Sequence, residues 1–263
     1  MTTTTGTTPP GTSGESQASL WIRRMFSDIA PRYDLLNHLL SFNIDRAWRK
    51  ALTRRLAPVL AREDACVLDL CCGTGDVVLG FESIAAAQVI GADFCHPMLI
   101  AAHAKAARRG GSLRLMEADA MELPLPNDSL DAISIAFGFR NFANYRTGLQ
   151  ELHRVLKPGG VLAILEFSHP PGRFIKAAYG LYSCVFLPVV GGLISGSREA
   201  YGYLPESVRK FPGANELRDM LERDGFAETR FERLSGGIAA LHSGVKSAAG
   251  GGRDGAVDLV AQP

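Results

Sequence analysis

The 263-residue chain lacks an uninterrupted apolar run long enough to cross a membrane, since a spanning helix takes ~20 such residues. Its longest apolar stretch, FIKAAYGLYSCVFLPVVGGLI (174–194), is broken by Lys176, Pro188 and three glycines. An excess of charge is also missing: 28 basic side chains face 27 acidic ones, for a formal net charge of +1. Proteins that grip a phosphate backbone are usually strongly basic, so nucleic acid is not the expected partner. Cysteine is scarce. There are five, with no C-x2-C pair, which argues against a disulfide framework and against a metal site. Cys66, Cys71, Cys72 and Cys95 read as small buried residues with free thiols. The opening MTTTTGTTPPGTSGESQAS has no basic start, apolar core or cleavage site, so the expected setting is the reducing cytoplasm.

One further absence is local. The stretch VLDLCCGTGD (67–76) carries Gly73 and Gly75, but the third glycine of G-x-G-x-x-G is replaced by Val78. That glycine lets helix and strand close around a pyrophosphate. The nicotinamide or flavin reading is weakened accordingly.

What is present is an alternation. CVLDL (66–70), QVIGAD (88–93), LRLMEA (113–118), LDAISIAFG (130–138) and GVLAILEF (160–167) are short apolar runs bounded by turn residues, the pattern of buried strands. Between them lie helical patterns over 76–87, 97–110 and 144–160. The last sets Leu149, Leu152, Val155 and Leu156 on one face and is expected to stop at Pro-Gly-Gly. Repeated strand–helix–strand units predict an α/β fold: a doubly wound, Rossmann-like, mainly parallel sheet. A helical prelude is expected over 20–57, broken at Pro31. A late helix is expected over 214–226, followed by an antiparallel pair, AETRFERL and GIAALHS. Residues 1–19, rich in Thr, Gly, Ser and Pro, read as a disordered tail, and 243–263 as a flexible one. The domain proper is then 20–242.

In such sheets ligands bind at the carboxyl ends of the strands, near the switch point. Asp69 stands near the end of the first predicted strand and Asp93 ends the second; Asp119-Ala120 follows the third. An acid in the place of Asp93 accepts from ribose hydroxyls, and one in the place of Asp119 from an adenine amine. Three acids would repel phosphates and welcome adenosine carrying an ammonium and a sulfonium, so charge favours S-adenosylmethionine over NAD.

With these residues on the page, VLDLCCGTGD, GADFCHPML, ADAMELPLPNDSLDAISIAFGFRN and HRVLKPGGVLAILEFS resemble the successive motifs of class I S-adenosylmethionine-dependent methyltransferases. FSDIAPRYDLLNHLLSFNIDRAWRK (26–50), AFGFRN (136–141) and YGYLPESVRKFPGANELRDMLERDGF (201–226) resemble, more narrowly, the ubiquinone/menaquinone biosynthesis C-methyltransferases. The likeness runs over about residues 22–242. It implies a seven-stranded sheet with a helical N-terminal extension. It implies that Thr74, Asp93, Asp119 and Ala120 contact the cofactor; with Asp69, Gly73 and Gly75 from the strand end and glycine turn, and Ala136, which stands where a serine is common, they make up the expected cofactor site. Asn43 replaces a usual glycine, and His169 a common lysine.

The reaction so implied methylates a ring carbon of a prenylated quinol, demethylmenaquinol first and a benzoquinol of ubiquinone biosynthesis second. The resemblance puts Arg140 and Asn141 at the acceptor, where a guanidinium would hold a phenolate. Glu166 and His169 are candidate proton acceptors, with Tyr201 or Tyr203 orienting. The apolar stretch is expected to be a lid insertion (174–212), edged by Arg173, Lys176 and Arg198. Between Leu20 and Arg55 eight basic residues face three acids. They read as solvated helix faces or as a surface drawn to anionic lipid, so peripheral contact with the inner face of the membrane stays open. So do a homodimer and a different small aromatic acceptor.

Overall fold

Strand and helix alternate from Cys66 onward as the patterning predicts. The computed structural model describes residues 6–34, 41, 43–172, 175, 180 and 198–247, without the side chains of 198–201. Seven strands form one sheet: β1 Cys66–Leu70, β2 Gln88–Asp93, β3 Leu115–Glu117, β4 Leu130–Ala136, β5 Leu156–Phe167, β6 Phe226–Leu234 and β7 Ala239–Lys246. Their order is β3-β2-β1-β4-β5-β7-β6. The first five run parallel, and β7 pairs antiparallel with both β5 and β6. The chain winds outward from β1 to β3 and then crosses back to β4 on the other side of β1. The switch point therefore lies between β1 and β4.

Helices cover both faces. They are α1 Glu15–Ile29, α2 Ile44–Leu60, α3 Asp76–Glu82, α4 His96–Arg108, α5 Tyr145–Val155, α6 Arg198–Lys210 and α7 Ala214–Arg223. Alternation along the strands sorts the core. Leu68, Leu70, Ile133, Ile135, Leu162 and Ile164 point to one face, where Leu149 and Leu152 of α5 and Leu217 and Leu221 of α7 meet them. Val67, Ala132, Ala163 and Leu165 point to the other, against Leu52 and Leu56 of α2 and Phe81 of α3. A third cluster joins Ile22, Met25 and Ile29 of α1 to Met98 of α4 and Tyr203 of α6. It closes over the carboxyl end of the sheet.

Three expectations need correction. Residues 1–19 were read as a disordered tail, but α1 begins at Glu15, and Gly6, Thr7 and Pro9 are buried. Small residues make that stretch poor core material, yet they fit a narrow crevice that longer side chains would not. The helix over 144–160 ends at Val155. Leu156 is already extended (ψ 138°) and pairs with Leu130 in the sheet. The Pro-Gly-Gly that follows makes a register shift within the edge of β5, with Gly159 at φ +79°. The flexible tail expected over 243–263 is contradicted at its start, because β7 continues through Lys246 between two partner strands; residues 248–263 lie outside the described ones. The 174–212 insertion lies outside the described residues except for Ile175, Gly180 and the stretch from 198. Among the described residues, no helix is long and apolar enough to cross a membrane.

Candidate active site

A cleft of about 690 Å³, its open mouth included, lies at the carboxyl ends of β1, β2 and β4 and the turn after β3. Gly73, Asp93, Asp119, Ala120 and Ala136, five of the expected cofactor residues, line it. Apolar wall is added by Phe26, Tyr33, Phe94, Met98, Met121, Phe137 and Phe142. Asp93 and Asp119 are its charged lining residues, and no lysine or arginine lines it among the described residues.

The end of β2 holds the turn after β1. Asp93 Oδ2 accepts the Gly73 backbone N–H at 2.8 Å, and its Oδ1 accepts the Cys95 N–H at 2.9 Å. Only 6% of Asp93 is exposed, and burial pushes its carboxyl up to about 6 despite those two bonds. Asp119 accepts the Met121 N–H at 2.9 Å and stays exposed. Two non-glycine residues adopt positive φ at the switch point, Cys71 after β1 (φ +57°) and Phe137 after β4 (φ +60°). Strain of this kind persists where surrounding structure fixes it, and it gathers at functional sites. Gly138 makes the crossing possible: a Cβ there would lie 2.3 Å from the Cys71 Cβ.

Three expected cofactor residues do not line the cleft. Asp69 pairs with Ser134 across the sheet, accepts its hydroxyl at 2.6 Å and is 1% exposed. Strand parity turns it toward the α2 face. Burial pushes its carboxyl up to about 7, so the cleft holds two carboxylates and not three. Gly75 caps α3 at φ +82°, where a Cβ would sit 3.1 Å from Ala102 of α4. Thr74 is 4% exposed, and its hydroxyl donates to Asp34 and accepts from Lys105 Nζ at 3.0 Å. Lys105 also pairs with Asp34 and with Asp76 (2.8 Å), and Arg49 reaches Asp76 at 3.2 Å. Sequence reasoning missed this ion network, which ties α2, α3, α4 and the segment after α1 beneath the glycine turn. Only the packing of Ala102 on Gly75 reveals that Lys105, one turn further along α4, arrives there.

The acceptor-side candidates divide in the same way. Asn141 lines the cleft, and its Oδ1 accepts from the Tyr203 hydroxyl at 3.0 Å. Arg140 does not line it. Its guanidinium is 7% exposed and spans Glu166 (3.1 and 3.2 Å) and the Phe137 carbonyl. It also lies 5.3 Å over the Phe167 ring. Glu166 is 1% exposed and accepts the Arg140 and Phe167 backbone N–H groups as well. Both Glu166 oxygens are engaged by these donors and Glu166 does not line the cleft, so it is not positioned as the base. The pair fixes the loop after β4 to the end of β5. His169 Nε2 donates to the Phe211 carbonyl at 3.0 Å and pins the loop after β5 instead. The Tyr201 side chain lies outside the described ones.

The donor set suits a cationic nucleoside. A glycine turn offers close backbone approach, the walls are apolar, and both charged groups are carboxylates. Among the described residues a pyrophosphate would meet two acids and no cation. With its switch point at such a cleft, this mainly parallel sheet places the protein among the class I S-adenosylmethionine-dependent methyltransferases. Solved structures agree on the fold. A methyltransferase from Aquifex aeolicus matches with TM-score 0.55 at 20% identity, over 75% of this chain and 88% of that one. The [4+2]-cyclase SpnF matches with TM-score 0.65 at 16% identity, over 92% and 99%.

The ubiE/COQ5 methyltransferase family model matches residues 13–246, and the chain belongs to that family. A demethylmenaquinone methyltransferase of Thermus thermophilus is 50% identical over 221 residues, covering 84% of this chain and 99% of that protein. A ubiquinone/menaquinone biosynthesis C-methyltransferase UbiE of Syntrophotalea carbinolica is 47% identical over 87% of this chain and 95% of its own length. One from Deinococcus radiodurans, named demethylmenaquinone methyltransferase, is 45% identical over 86% and 92%.

Proposed function

We propose that the protein methylates a ring carbon of a reduced prenylated quinone, with demethylmenaquinol as the first substrate to test. The observation that carries this reading is the pairing of family membership with a cleft whose charged lining groups, among the described residues, are two carboxylates. Bound there, S-adenosylmethionine supplies a methyl group already activated on a sulfonium, so no protein nucleophile is required. Asp93 would take the ribose hydroxyls while bracing the Gly73 turn. Asp119 and Ala120 would border the adenine.

The chain's own tasks are positioning and exclusion of water. Phe26, Phe137 and Phe142 wall the acceptor end. Tyr203 donates to Asn141 Oδ1, which leaves the Asn141 N–H2 as a donor for a phenolic oxygen. Such a bond stabilises the phenolate form, in which the ring carbon is most nucleophilic. The ring carbon would take the methyl group with loss of the carbon–sulfur bond, and its proton would then pass to solvent at the open mouth of the cleft as aromaticity returns. Arg140 acts behind this face, holding the Asn141 loop to β5 through Glu166.

The prenyl tail suggests a meeting with the bilayer. Beside Ser19, which lines the cleft, α1 carries Leu20 at 66% exposure, with Arg23 and Arg24 exposed next to it. An apolar residue flanked by arginines suits an anionic lipid surface. We place the protein in the cytoplasm, in peripheral contact with the inner face of the membrane. Flotation with anionic vesicles at low ionic strength tests the contact, and protein left at the bottom of the gradient sinks it. The activity is tested with labelled S-adenosylmethionine and each reduced prenylated quinone. Label transfer to demethylmenaquinol supports the reading. Cofactor binding without transfer to any quinol overturns it.

A further inference from the structure

The N-terminal stretch before α1 packs against the backbone of Phe142 and Ala143, at the edge of the cleft. The Thr7 backbone N–H donates to the Phe142 carbonyl at 2.8 Å, and Gly6 packs so closely that a Cβ there would lie 1.9 Å from the Ala143 oxygen. Phe142 and Ala143 both line the cleft. The Thr7 hydroxyl meets the Tyr203 hydroxyl at 2.7 Å, and Tyr203 in turn donates to Asn141 Oδ1. Tyr203 has one proton and spends it on Asn141, so Thr7 is the donor in the other bond. Thr7 is 8% exposed and Tyr203 is 5% exposed, so water does not compete for these hydroxyls. Lys210 Nζ to Thr8 Oγ1 (3.2 Å) and Asn144 Nδ2 to Glu15 Oε1 (2.9 Å) anchor the stretch on both sides. The family match begins only at residue 13, so it does not account for this stretch.

We propose that residues 6–14 form a strap behind Asn141–Ala143, in which Thr7, through Tyr203, orients the Asn141 amide toward the substrate oxygen. Thr7 is thus a positioning residue. The inference rests on the quinol-methylating reading above. Its chemistry is a chain of hydroxyls: Thr7 donates to Tyr203, Tyr203 donates to Asn141, and the amide nitrogen is left facing the cleft. A strap without this chain would still brace the backbone of Phe142 and Ala143 but would leave the amide free to rotate, and its carbonyl would then repel a phenolate.

Four single variants of the full-length protein test it: Thr7→Val, Thr7→Ser, Tyr203→Phe and Gly6→Ala. Four quantities are read: S-adenosylhomocysteine affinity by calorimetry, KM and kcat for reduced demethylmenaquinone, and hydrogen exchange at the amides of 141–148. Thr7→Val and Tyr203→Phe should each lower kcat by about tenfold, the loss expected for one buried hydrogen bond, with nucleoside affinity unchanged. The double variant should be no worse than the weaker single one. Thr7→Ser should behave as the parent. Gly6→Ala should displace the strap, raise exchange over 141–148 and raise the acceptor KM. An active parent with unaltered Thr7→Val and Tyr203→Phe kinetics overturns the inference. So do additive losses, or a fall in nucleoside affinity that tracks lost stability. If the parent binds S-adenosylhomocysteine but methylates no quinol, the functional reading fails, and unchanged exchange in Gly6→Ala then overturns the strap on its own.

Discussion

Asp93 holds Gly73: the carboxylate at the end of β2 accepts the N–H of the turn that follows β1, at 2.8 Å. One side chain both shapes the glycine turn and lines the cleft. Asp93→Ala removes this bond and the one to Cys95 together, and should weaken S-adenosylhomocysteine binding by roughly 10–100-fold. Asp93→Asn, which keeps an acceptor oxygen, should lose less. Calorimetry on the two variants checks the order.

The same residue gives a pH dependence. Its carboxyl is raised to about 6 by burial, and a sulfonium nucleoside binds best to the ionised form. Affinity should therefore fall by up to about tenfold per pH unit below pH 6, level off above 7, and be flat in Asp93→Asn. A parent profile flat from pH 5 to 8 would contradict this.

Asp69 predicts stability. Its folded value, about 7, lies above the ordinary carboxylate value of 3.8. The folded state then holds a proton that the unfolded state has released, so this group's contribution falls as pH rises from about 4 to 7. Asp69→Asn keeps the Ser134 bond and should gain on the parent through that window. The gain should reach a few kcal/mol at most near pH 7.5. Urea midpoints at pH 5 and pH 7.5 measure the difference.

The Arg140–Glu166 pair is buried on both sides. Arg140→Ala strands a carboxylate and should destabilise by ~3–5 kcal/mol, roughly 10 °C in melting temperature for a chain of this size. Calorimetric scanning should record that loss whether or not acceptor is present.

Gly138→Ala would drive a methyl group into Cys71 and should cost about 1–3 kcal/mol. Cys71→Gly removes the obstacle and relaxes a residue at φ +57°. The double variant should recover most of the loss in chemical denaturation.

The parallel strands were legible because both faces are buried: CVLDL and QVIGAD match β1 and β2 end to end. Leu156 was misplaced because an apolar residue at a helix–strand junction satisfies either period. The carboxylates of the cleft were legible where they end strands, as Asp93 does. Asp69 was not, because its direction depends on parity against Ser134. Arg140 and Glu166 were assigned chemistry that their mutual pairing withholds, and a pair 26 residues apart leaves no local mark. Thr7 was hidden within a low-complexity run, where its burial depends on a tyrosine far along the chain.

That distance governs the order of assembly. Thr7 and Tyr203 stand 196 positions apart, whereas Gly73, Asp93 and Asp119 follow one another within the first half of the chain. During synthesis Gly73, Asp93 and Asp119 leave the ribosome well before Tyr203, so the Thr7–Tyr203 bond must wait until α6 has emerged and closed back on the amino terminus.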